Sequence, residues 1–157
     1  MDWYSYIKKY VWNDDKTPYF ISVHRLNKSQ ADHELFSYTF FIALLFGAIA
    51  LISLTDNAPH GKSYTVALYA LSVACGAVLF GVTKHVYGAY YLVTAPLATL
   101  AYFFVAGFPP NLHAIDELLL VGIVLILLRY TFRVAAIAKA YPDLPETTPD
   151  PKSPPDG

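Results

Sequence analysis

LFSYTFFIALLFGAIALISL, residues 35–54, is a run of twenty residues without one charge. At about 1.5 Å per residue a helix of that length crosses a hydrocarbon core of roughly 30 Å, so the stretch reads as a membrane span. Residues 29–32, Ser-Gln-Ala-Asp, precede it in a capping-box spacing, which places the helix start a turn or more before the apolar run.

The pattern repeats downstream. Turn formers over 55–63 lead into a second charge-free run, 64–82; Thr83 to Val86 form a short link to a third, 87–108, with Pro96 near its middle, where a kink is expected. Pro109, Pro110 and Asn111 end it, and the fourth span is read over 112–141, with its apolar centre at 118–128. Six of the eleven prolines fall in 142–157, which reads as a disordered tail.

The expected fold class is therefore an all-α membrane protein: four transmembrane helices in an antiparallel bundle with a short N-terminal interfacial helix. Its organisation divides into a cytoplasmic segment 1–34, a helical unit 35–141 (about 35–54, 64–82, 87–108 and 112–141) and the tail. Composition agrees, with 55% hydrophobic and 15% charged residues in 157 and a mean hydropathy of +0.38. No leader of basic, apolar and small-residue regions precedes residue 35, so the mature chain is expected to start at Met1.

Ten basic residues flank the spans on one side (Lys8, Lys9, Lys16, Arg25, Lys28, Lys84, Arg129, Arg133, Lys139, Lys152) against Lys62 on the other. The positive-inside rule then puts both termini in the cytoplasm of a cell whose inner membrane holds the four spans.

Composition also excludes. A net charge of -1 gives no basic field for nucleic acid, and the single cysteine, Cys75, forms no internal disulfide or Cys-rich metal site. Cys75 is expected to be a small buried hydrophobe. No histidine lies within an apolar run, which argues against axial ligation of haem, and no Asp, Glu or Lys lies mid-span, which argues against an ion-coupled transporter. Asp56, His60, His113, Asp116 and Glu117 gather in or beside the two outer loops, but without a third ligand fixed by spacing they read as loop and capping residues, and no metal or cofactor is expected.

Three features bear on function. Trp3, Tyr6 and Tyr10 recur at helical spacing beside Lys8 and Lys9, as an aromatic anchor in the headgroup region or a docking helix for a partner. Ala70, Ala74, Ala77 and Gly81 form a small-residue stripe on the second span, suited to helix packing within the chain or to association with other subunits. Finally, Glu117 and Arg129 are twelve residues apart, about 18 Å along a helix and too close to reach both headgroup layers. Arg129 is accordingly expected inside the inner leaflet, near Asp32 or Glu34, or in a lipid-headgroup pocket shared with Lys84 and Arg133.

The functional expectation is a non-catalytic accessory or assembly subunit of a larger inner-membrane complex, with membrane lipids, other membrane subunits or further copies of itself as partners. The alternative is a lipid- or quinone-interacting membrane enzyme or solute carrier with a site near Arg129.

Overall fold

The computed structural model describes residues 22–56, 58, 60–110 and 112–146. It is all-helical, with no strand among them: α1 Lys28–Ile52, α2 Tyr64–Thr83, α3 Val86–Ala106 and α4 Ala114–Ala140, with single 3-10 turns at Val23–Arg25 and Tyr141–Asp143. All four α-helices are long and apolar enough to cross a membrane. The chain has the features of a multi-pass membrane protein.

The helix starts follow local chemistry. Asn27 caps α1, its Oδ1 accepting from Gln30 N at 2.8 Å while Asn27 N donates to Gln30 Oε1 at 3.2 Å. The capping box therefore sits two residues earlier than the expected Ser29 and Asp32, because Asn27 and Gln30 satisfy the same spacing and Asp32 is engaged elsewhere. Ser63 caps α2, accepting from Val66 N at 3.3 Å, and Lys84 closes α2 in the left-handed conformation with φ 52°. At α4 the Asp116 carboxylate accepts from the His113 backbone N–H at 3.3 Å, which is the capping role expected of that outer acid. Helix α3 continues through the buried Pro96, and Thr99 donates to the Ala95 carbonyl at 2.9 Å beside the missing donor.

The core is narrow and built on small residues. Ala70, Ala74 and Ala77 are buried, and an added Cβ on Gly81 would stand 2.9 Å from Thr39 Oγ1 of α1. The stripe thus packs within the chain, bringing α1 and α2 into close contact while Ile42, Phe46, Val73 and Phe80 fill the space beside it. Hydroxyl pairs add links between helices. Tyr91 of α3 meets Ser72 of α2 at 2.7 Å, and Tyr69 of α2 meets Thr94 of α3 at 3.1 Å.

Two expectations differ from the structure. Cys75 is exposed, because it lies one residue beyond Ala74 and so turns about 100° away from the packed stripe. The folded chain also continues past residue 141: Leu144 is buried at 7% exposure, Pro145 O accepts from Lys28 N at 2.9 Å, and Lys28 Nζ lies 3.4 Å from Glu146 Oε1. The prolines after Tyr141 stop the helix without releasing the chain, since the next apolar side chain, Leu144, finds the core. The rest of the proline-rich stretch, 147–157, lies outside the described residues, as do Trp3, Tyr6 and Tyr10.

Gly81→Leu tests the close approach. Thr39 is held by its own hydrogen bond to Phe36 O at 3.0 Å and gives way poorly, so the substitution is expected to destabilise by about 1–3 kcal/mol in denaturation measured in detergent.

Candidate functional site

The charges gather where the start of α1 meets the ends of α2 and α4. Glu34, six residues into α1, is 1% exposed, and its carboxylate accepts twice from Arg133: Nε to Oε1 at 2.6 Å and Nη2 to Oε2 at 3.1 Å. A two-point guanidinium–carboxylate pair is the geometry that best offsets the loss of water around a buried acid. One turn deeper, Tyr38 and Thr131 join the same two helices through their hydroxyls at 2.9 Å, and Thr131 in turn donates to Leu127 O at 2.8 Å.

Asp32 forms the second group. Its Oδ1 accepts from Lys84 Nζ and from Tyr141 Oη at 2.7 Å, while Lys84 Nζ lies 3.0 Å from Tyr141 Oη and 4.9 Å from the ring centroid. One lysine in the short link between α2 and α3 thereby ties α1 to the end of α4. Partial burial of the Lys84 ammonium lowers its pKa, but hydrogen bonds to Asp32 and Tyr141 and the Asp32 charge together outweigh that, so the net direction is upward. The ammonium's contribution is fully present below the ordinary lysine range and is lost only as pH rises through the raised value.

The expected pairing of Arg129 with Asp32 or Glu34 is not what the structure shows. Lys84, Arg133, Asp32 and Glu34 do come together, but Asp32 and Glu34 are taken by Lys84 and Arg133. Arg129 is exposed and makes no ion pair among the described residues. The reason is angular. Thr131 lies at the centre of the packed face of α4, and two residues in either direction is a turn of about 200°, which sends Arg129 to the opposite side. Arg133 starts from a similar angle, and its long stem reaches back to Glu34. Tyr141 was missed; its position at the expected end of the fourth span, level with Asp32, is the signal that carried it.

At the other end of α1 and α2 lies a cavity of about 480 Å³. Its walls include Phe46, Tyr69, Ala98, Tyr102 and Phe103, and the 53–63 connection contributes His60, whose ring meets that of Tyr102 edge-on at 5.5 Å between centroids. Neither Arg129 nor any other residue of α4 lines it. No group of three or more His, Cys, Asp or Glu side chains is placed to hold a metal ion among the described residues.

The ion pair joining α1 to α4 is testable by a double-mutant cycle. Arg133→Met leaves the Glu34 carboxylate buried without its guanidinium and is expected to cost about 3–5 kcal/mol; Glu34→Gln combined with Arg133→Met should recover much of that loss in the same denaturation assay. No protein-family model matches the sequence, and no curated protein or solved structure is significantly similar to it.

Proposed function

We propose that this chain is a non-catalytic accessory or assembly subunit of a larger membrane complex, held in an inner membrane as an antiparallel four-helix bundle with both termini cytoplasmic. The observation that carries the reading is Arg129. It lies on an exposed face of α4 among Ile123, Leu125, Ile126 and Phe132, all exposed, while the nearest acids of α1 are already paired. Insertion scales put a charged residue at the centre of a span at about 2.5–3.5 kcal/mol, less when it snorkels or finds a partner. A neighbouring membrane helix carrying a carboxylate at matching depth relieves that cost, and the apolar side chains around Arg129 supply the contact area.

The antiparallel arrangement draws support from the ionic groups, since the start of α1 meets the ends of α2 and α4. The cytoplasmic placement of that end draws support from the ten-to-one distribution of basic residues. The aromatic segment with Trp3, Tyr6 and Tyr10 enters this reading as an interfacial anchor on the same side. The alternative of an enzyme or carrier with its site near Arg129 has less behind it, because the cavity described above is lined without that residue.

Mild-detergent purification of the native protein is expected to recover stoichiometric membrane partners, and Arg129→Leu to lose them while Arg129→Lys keeps part and Leu71→Ala, on an exposed face of α2, keeps all. Full recovery with Arg129→Leu, or a loss of bound phospholipid alone, rejects the reading. Reporter fusions check the orientation: one at Gly157 is expected to report cytoplasm, and one in the 55–63 loop the opposite side.

A further inference from the structure

The cavity between α1, α2 and α3 lies apart from Arg129 and from both ion pairs, and its chemistry is of a different kind. Its volume of about 480 Å³ falls in the range of small-molecule sites, which are mostly apolar with a few polar groups that set orientation. No Lys, Arg, Asp or Glu is among its lining residues. Four aromatic side chains, Phe46, Tyr69, Tyr102 and Phe103, line the space together with the small residues Ala70 and Ala98. Small side chains on the facing helices make room, and aromatic rings offer flat faces to stack on.

Polar side chains also line it, Ser53, Ser63 and Thr65 among them, and Ser63 is engaged as the cap of α2. The hydroxyls of Tyr69 and Thr99 are already engaged, with Thr94 and with the Ala95 carbonyl. His60 and Tyr102 differ: they touch each other through their rings, and neither the imidazole nor the phenol has a hydrogen-bond partner among the described residues. They present two neighbouring groups able to donate at the edge of an apolar cavity. A charged ligand finds no counter-charge among the lining residues, and a carbonyl can accept from either group where a plain hydrocarbon cannot.

We infer that this cavity binds a flat, uncharged, lipid-soluble ring bearing a carbonyl, with the ring among Phe46, Tyr69 and Phe103 and the carbonyl oxygen accepting from His60 and Tyr102. A benzoquinone with a short alkyl tail is the simplest molecule of that class.

The test uses the full chain in phosphatidylcholine nanodiscs, a short-tailed benzoquinone as probe, and equilibrium binding as readout. The wild type is expected to bind saturably at one site per chain. Ala98→Phe fills the cavity and should abolish binding, while Tyr102→Phe removes one donor and should weaken it about three- to tenfold, the worth of one hydrogen bond. Thermal unfolding of each variant identifies one that fails to fold, and for Ala98→Phe the smaller Ala98→Leu then takes its place. A photoreactive benzoquinone should label peptides of α1, α2 or α3 and spare those of α4. Equal binding by wild type and by the folded Ala98 variant overturns the inference. So does competition by a ring-free alkane of the same length as effective as that by the quinone, which would mark the cavity as a berth for lipid acyl chains.

Discussion

A carboxylate buried between apolar helices is the constraint around which this fold is arranged. Glu34 sits where water is excluded, and the free energy of an isolated ionised acid in such a place would exceed what the local packing returns. Arg133 meets it with two hydrogen bonds, and that requirement fixes how α4 stands against α1 in both rotation and height. The neighbouring contacts fall into place from there. Tyr38 reaches Thr131 one turn deeper, and Asp32 faces Lys84 and Tyr141 at the rim. Packing alone would leave α1 and α4 less firmly related, because α1 is packed far more extensively on the small-residue face of α2.

The two kinds of contact divide the work. Between α1 and α2 the backbones draw near because Ala70, Ala74, Ala77 and Gly81 remove the side chains that would hold them apart, so dispersion over a long seam is the main attraction. Between α1 and α4 the contact is much sparser, and directional polar contacts set the register. The cavity occupies the far ends of α1 and α2 together with α3, away from the polar clasp. A fold clasped at one end by ion pairs and hydroxyls has freedom at the other to leave a space between its helices.

Much of this was legible in the residues. Long charge-free runs fixed four helices to within a few positions, because length and apolarity are properties of each segment by itself. The four residues of the ionic cluster were also visible as charges near one set of helix ends. Their pairing was not, since it depends on rotation about each axis, and a difference of two positions separates the face of Thr131 from that of Arg129. Asn27 and Gln30 were overlooked as a cap because Ser29 and Asp32 offer the same spacing two residues later. The cavity was beyond reach for a different reason. A void is defined by what three helices fail to fill, and its lining is gathered from residues 46 to 109, none of which carries a recognisable motif.

The pairing of Glu34 with Arg133 also has a consequence in time. The two are separated by 99 positions, so at synthesis rates of about 5–20 residues per second the acid waits roughly 5–20 s for its partner to be made. During that interval α1 exists with an uncompensated carboxylate one turn and a half from its start. On the proposed membrane placement it must lie shallow enough to keep water on the carboxylate, or be sheltered by the insertion machinery, until α4 arrives. On that placement, completion of α4 is the event that lets α1 settle to its final depth, and a chain interrupted before Arg133 would hold its first helix without the charge that balances it.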